Sequence, residues 1–245
     1  MNADCNRRRN LSLSVIAWGR ARLASDQVYK FALLVIFLGH DHHHRRELES
    51  GLTSVKIMSS CITLVWPSPE HLPSYVAALE RGWSPDNIRG VEATREQLAA
   101  IAEDPRAFLS SLVVRSPNGA FITLPDGSKV PRLPGYRRWL WDGEFCGSIG
   151  LRWQPGKSEL PPHILGHIGY AVVPWKRRLG YATEGLRLML TDAKAEGLTY
   201  LEITTDPDNI PSRRVVEANG GVFVAEFLRP ASYGGTPAIR YRIDL

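Results

Sequence analysis

Apolar residues change their spacing along this chain, and the changes mark out helices and strands. Residues 61–66, CITLVW, form a short unbroken apolar run that predicts a strand, stopped by Pro67 and Pro69. Ser68, with Pro69 at the first helical position, predicts a helix start for PEHLPSYVAALERG, where Leu72, Val76 and Leu79 share one face. Thr94 and Gln97 make a capping-box pair opening REQLAAIAEDP. Leu98, Ile101 and Ala102 share a face there, and Pro105 is expected to end the helix.

Then the period drops to two. AFITLPDGSKVPRL places an Asp-Gly turn between extended arms, and YRRWLWDGEFCGSIGLRW reads as two strands around Asp142 and Gly143, the clearest hairpin in the chain. QPGKSELPPHILG is a polar, proline-rich loop. HIGYAVV predicts a strand, followed by a corner and a helix reaching Gly197 whose Leu186, Leu190 and Ala193 belong to a core. YLEITTD is a further strand, NIPSRRVVEANGG a short helix from Asn209, and VFVAEFL and IRYRIDL are closing strands. This order predicts a mixed α/β domain around one central sheet.

Composition adds little until it is split by position. The net charge of the 245 residues is +5, but residues 1–57 hold nine Lys/Arg against five Asp/Glu, so the body is nearly neutral. The body shows no basic stripe interleaved with aromatics, which argues against a nucleic-acid partner. FALLVIFL, residues 31–38, is too short to span a bilayer, where about 20 residues are needed, so no membrane association is expected. The histidines from His40 to His44 lack a second ligand cluster and read as an exposed polar tract, with no metal expected. Residues 1–57 are expected to lie outside a folded domain spanning 58–245, with translation beginning at Met58. Three scattered cysteines (Cys5, Cys61, Cys146) suggest a reducing, cytoplasmic setting.

Two motifs fail on inspection. PGKS lacks the first glycine of a nucleotide-hydrolase phosphate loop, because Leu151 stands there, and CGSIG around Ser148 has Cys146 where a nucleophile elbow needs glycine. RRLGYAT, residues 177–183, is different. A strand turns into a helix there, and a helix start offers several aligned N–H donors to an anion. Gly180 permits a sharp turn and close approach, Ala182 keeps the next position small, and Arg177 and Arg178 add positive charge.

In context, HIGYAVVPWKRRLGYATEGLRLML resembles the coenzyme-A motif of the GNAT N-acetyltransferase superfamily, a strand, then [RQ]-x-x-G-x-[GA], then a helix. TTDPDNIPSRRVVEANGG resembles the family's next motif, in the version of ribosomal-protein alanine acetyltransferases. The resemblance implies the GNAT acyl-CoA N-acyltransferase fold, a twisted, mostly antiparallel sheet with splayed middle strands flanked by helices, with residues 166–224 as its cofactor-binding core. It implies acetyl-CoA as co-substrate and no metal. Its pantetheine arm would run along the main chain of Ala171, Val172 and Val173. Its pyrophosphate would sit on the corner from Arg177 through Arg178, Leu179, Gly180, Tyr181 and Ala182 to Thr183, with Asn209 and Ser212 touching the coenzyme from the next helix. A backbone N–H near Val172 would polarise the thioester carbonyl.

The implied reaction is direct acetyl transfer to a primary amine of a small molecule or peptide. An alkyl ammonium, with an ordinary pKa near 10, must first lose a proton. Many relatives place a glutamate where His167 stands, which makes His167 a candidate base beside the alternative of a structural histidine in the sheet; Glu202 and Glu144 are lesser candidates. The tyrosine that protonates the departing thiolate in many relatives is replaced by Val216, so no acid is assigned, water and Tyr181 being alternatives. That gap admits a non-catalytic acyl-CoA sensor, or transfer of another acyl group, as rival readings. Trp139 and Trp141 alternate along a strand as core or cleft wall. Family topology places Glu80, Trp83, Arg95 and Tyr233 near the acceptor cleft and leaves a homodimer open.

Overall fold

The computed structural model describes residues 62–245 except Ile88 and Pro125. The expectations for residues 1–57, the histidine tract included, lie outside the described residues.

The Asp-Gly hairpin builds the centre of the molecule. β5 (Gly135–Trp141) and β6 (Phe145–Arg152) pair antiparallel, with a register shift between Leu140 and Trp141 just before the turn. β6 pairs antiparallel with β7 (Ile168–Val172), while β1 (Thr63–Val65) and the short β2 (Val113–Val114) pair with β5. Because side chains alternate across a pleat, each face of this sheet acquires its own core. On one face Leu140, Ile149, Leu151 and Ile168 meet Leu186, Met189 and Ala193 of α4 (Tyr181–Ala195). On the other, Trp139, Phe145 and Val173 meet Tyr75 and Leu79 of α1 (Leu72–Glu80), Trp83, and Ile101 of α2 (Val91–Glu103). Tyr75 stacks on Trp139 with ring centroids 4.6 Å apart and interplanar angle 7°, so Trp139 and Trp83 are core residues.

α4 lies close on the sheet because Gly185 has no side chain; a Cβ there would come within 2.4 Å of Leu140 Cδ2. Arg138 fastens the same helix from below, pairing with Asp192 at 2.8 Å and donating to the Leu64 carbonyl at 2.7 Å. Complete burial of Leu186 contributes about 2 kcal/mol, and truncation to alanine would cost that plus the cavity left behind.

The expected single sheet divides in two. β8 (Tyr200–Thr205), β10 (Pro237–Asp244) and β9 (Val222–Leu228) form a separate antiparallel sheet in the order β8-β10-β9. α5 (Ile210–Glu217) follows β8 and is capped by Asn209, whose Oδ1 accepts from the Ser212 N–H at 3.1 Å. β3 (Phe121–Thr123) and β4 (Lys129–Pro131) make the small hairpin expected at Asp126 and Gly127.

Helix ends were the least legible. α1 begins at Leu72 rather than Pro69, since Ser68 is spent in a turn whose carbonyl accepts from the His71 and Leu72 N–H groups. Thr94 does not cap α2: the helix starts at Val91 behind Gly90, and the buried Thr94 hydroxyl donates to the Trp83 carbonyl at 3.2 Å. Pro105 opens a further helix, α3 (Pro105–Ser111), because Asp104 caps it through the N–H groups of Arg106 and Ala107.

Candidate active site

The segment entering β7 touches β8, and the two strands are not paired beyond it. The His167 N–H donates to the Glu202 carbonyl at 2.8 Å and the Thr204 hydroxyl to the Leu165 carbonyl at 2.5 Å, and no ladder joins the two strands beyond. The main chain of β7 is divided between its two edges. Arg152 N–H bonds the His167 carbonyl and Val173 N–H bonds the Cys146 carbonyl, so the His167 carbonyl and residues 169, 171 and 173 turn towards β6. Tyr170 and Val172 therefore face the opening, where no strand pairs with the edge and only the Val172 carbonyl is held, by Arg177. Of the three positions expected to hold a pantetheine arm, Val172 points its main chain into the gap. Ala171 and Val173 are committed to β6, a consequence of the two-residue period. Thr205 Oγ1 is buried without a hydrogen-bond partner among the described residues, where β8 borders the same cleft.

At the open end, a 3-10 turn (Pro174–Lys176) leads into the corner. Arg178 has φ +63° and Gly180 φ +80°, two left-handed residues immediately before the N-terminus of α4. Such a bend turns successive N–H groups to one side and forms an anion-binding concavity, to which the helix dipole adds. A Cβ at Gly180 would meet nothing within 4 Å, so the space beside it is open. Leu179 is exposed, and the buried Tyr181 opens α4, followed by Ala182 and Thr183. The Arg177 guanidinium folds back to the Val172 carbonyl at 3.3 Å.

A charged clasp holds the corner to the β5–β6 turn. Lys176 Nζ bonds both Asp142 oxygens (2.8 and 2.7 Å) and reaches Glu144 at 2.7 Å, and the Tyr181 hydroxyl donates to Asp142 at 2.6 Å. Burial opposes the charge on Asp142, yet hydrogen bonds from Lys176 and Tyr181 prevail and hold its carboxyl down at about 2. This clasp accounts for Glu144, which lies outside the cleft as a partner of Lys176, and for Tyr181, whose hydroxyl is engaged. Cys146 sits beside it, the one free cysteine among the described residues, with burial pushing its thiol up to about 12. Its burial leaves it among the core residues rather than in the cleft lining.

The remaining expected catalytic groups are also spoken for. His167 is fully buried; its Nδ1 accepts from the Glu202 N–H at 2.8 Å, which leaves Nε2 as the protonated nitrogen donating to the Ser158 carbonyl at 2.9 Å. Burial holds its pKa below the usual value. This imidazole joins β7 to β8 and has neither nitrogen left for an acceptor's proton, which corrects the expectation of a general base. The Glu202 carboxylate is shared by Arg242 at 2.8 Å and Arg240 at 3.7 Å. Ser212 Oγ is hydrogen-bonded to the Tyr170 hydroxyl at 2.9 Å, tying β7 to α5, and Val216 is core.

A cleft of about 890 Å³ opens on the α1–α2 side of the sheet and runs into the gap beside β7. Its floor includes Ser148, Gly150, Gly169 and Ala171, and its rim is formed by Asp86 and Asn87 between α1 and α2 and by Tyr233 between β9 and β10. Tyr233 thus lies where topology suggested, while Glu80 and Arg95 are exposed outside the lining. Sequence reasoning missed Arg137 and Arg152, which project from the floor; the only signal was their alternation with glycines on β5 and β6.

A forked sheet, a left-handed corner before a helix and a cleft against the forked strand thus lie side by side. Residues 62–222 match the acetyltransferase (GNAT) domain family, and the chain belongs to that family of acyl-CoA-dependent N-acetyltransferases. No curated protein matches the chain. Among solved structures, Mycobacterium smegmatis RimJ in complex with a CoA-disulfide is 17% identical, with 76% of this chain and 83% of that one covered and a TM-score of 0.50. The acetyltransferase of Salmonella typhimurium that modifies the N-terminal serine of ribosomal protein L7/L12 is 12% identical, with 75% and 95% covered and a TM-score of 0.48. The microcin C7 self-immunity acetyltransferase MccE, in complex with acetyl-CoA and AMP, is 10% identical, with 75% and 92% covered and a TM-score of 0.48. At these identities the likeness is one of fold.

Proposed function

We propose that residues 58–245 form an acetyltransferase domain that moves the acetyl group of acetyl-CoA directly to a primary amine of a small molecule or peptide, in a cytoplasmic setting. The observation that carries this reading is the fork between β7 and β8, whose edge at Tyr170 and at the Val172 N–H leads straight to the left-handed corner at Arg178 and Gly180. The pantetheine arm pairs with that edge, the pyrophosphate takes the N–H groups from Arg178 to Thr183, and Asn209 borders the coenzyme from the cap of α5. Acetyl-CoA supplies a thioester, from which the amine takes the acetyl group as the CoA thiol departs.

The chain's own contribution is placement and polarisation. The Val172 N–H faces the carbonyl oxygen and stabilises charge developing on it. The cleft floor brings the amine to that carbonyl in the correct orientation, which alone supplies much of the rate. With His167 sealed and Glu202 shared between two arginines, the amine's proton leaves through water at the cleft mouth, and the thiolate departs without a protein acid. Acetyl-CoA-dependent thiol release across an amine panel tests this; saturable coenzyme binding with no thiol release on any amine would favour a sensor instead.

A further inference from the structure

The acceptor cleft carries two positive charges with no counter-charge. Register places Arg137 of β5 opposite Gly150, and Gly150 opposite Gly169, while Arg152 of β6 stands opposite Gly135. All five lie on the cleft face, because paired residues share a face. A Cβ at Gly169 would lie 3.7 Å from Arg152 Nη2, and one at Gly150 would lie 3.5 Å from Arg137 Cγ. The two arginines thus lie over a floor without side chains.

Other charged groups lining the cleft have partners. Arg229 pairs with Asp206 at 2.5 Å, Asp86 with Arg89 at 3.4 Å, and Arg132 donates to the Ser111 carbonyl at 3.1 Å. Arg137 and Arg152 have neither a side-chain hydrogen bond nor an ion pair among the described residues. Arg152 reaches solvent through the cleft yet is surrounded by protein, and that surrounding, with the repulsion of Arg137, lowers its pKa. Two like charges held together on a concave floor are relieved by an anion, and guanidinium forks match the oxygens of a carboxylate or phosphate.

We propose that Arg137 and Arg152 form an anion subsite, so that the acceptor is a primary amine that also carries a carboxylate or phosphate. The assignment rests on the acetyltransferase reading above.

The test uses full-length protein, acetyl-CoA and two matched acceptor series. One comprises Ala-Ala-Xaa peptides with amidated C-termini, Xaa being aspartate, phosphoserine or asparagine. The other comprises linear ω-amino carboxylates, ω-amino phosphonates and ω-amino amides of equal length. The anionic member of at least one series should exceed its neutral counterpart in kcat/KM by roughly ten- to a hundredfold, mostly through KM. Whether carboxylate or phosphate leads distinguishes the two sources of anion. Arg152→Gln and Arg137→Gln should each remove most of that preference while retaining acetyl-CoA affinity, and Arg152→Lys should restore part of it. Equal rates for anionic and neutral acceptors, unchanged preference in both Gln variants, or no acetylation of any member while acetyl-CoA still binds would overturn the subsite. Failure of the wild-type protein to bind acetyl-CoA would instead overturn the reading on which it rests.

Discussion

The proposed coenzyme corner and the proposed acceptor cleft are built in opposite ways. The corner is one contiguous stretch, residues 173–183, whose working groups are backbone N–H donors held in place by two left-handed residues and a helix start. Lys176 beside it is paired with Asp142 and Glu144 in the clasp. The cleft gathers Asp86, Arg137, Arg152, Gly169 and Tyr233 from five separate segments, and its working groups are side chains, two of them without counter-charges. A site that binds a constant ligand through main chain can be local. A site that selects among acceptors draws on side chains that only the tertiary fold assembles.

The sharpest way to break the corner is Gly180→Trp. A side chain at φ +80° is strained, and this one would fill the open space beside the helix start. Acetyl-CoA affinity should fall by about a hundredfold or more with the fold retained, as read by calorimetry and circular dichroism. Next in size is His167→Ala, which would strand the Ser158 carbonyl and the Glu202 N–H and leave a cavity. Stability should drop by about 2–4 kcal/mol in denaturant titration, while the shape of the pH–rate profile is kept. The sign of its pH dependence is fixed by a folded pKa below the ordinary 6.5: protons favour the unfolded chain, so His167's stabilising part is complete above about pH 6.5 and declines as pH falls.

Lys176→Met should cost less, about 2 kcal/mol in stability, because Asp142 keeps the Tyr181 hydroxyl when it loses its cation. The looser corner should also weaken the coenzyme about tenfold, a penalty on the local site with no change in acceptor preference. Asp142 has its carboxyl lowered from 3.8 to about 2, so its stabilisation is full above pH 3.8 and disappears as pH falls towards 2. Asp142→Asn should remove that acid limb from the stability curve. Smallest is Tyr170→Phe, which deletes the bond to Ser212 and should lower stability by about 1 kcal/mol in the same titration.

The same contrast explains what could be read from the sequence. Strands β5 to β8, helix α4, the Asn209 cap and the glycine turn before α4 were legible, because each is specified by neighbours within a few residues. The division of the sheet was legible only through family resemblance, since strand pairing is set by contacts far apart in the chain. Capping at Thr94 failed because its hydroxyl found a tertiary partner in the Trp83 carbonyl. His167 was ambiguous for a physical reason: an imidazole ring suits a proton shuttle and a buried cross-strand tie equally well, and only its two partners decide. Arg137 and Arg152 gave no local motif, because their meaning lies in the absence of nearby carboxylates.

Calorimetric titration of acetyl-CoA into the full-length protein tests the central claim, that the free edge of β7 and the corner before α4 together hold the coenzyme. Saturable heat with one coenzyme per chain is expected, abolished by Gly180→Trp and retained by Arg152→Gln. Absence of saturable heat up to millimolar coenzyme with folded protein, or undiminished binding in Gly180→Trp, would contradict it.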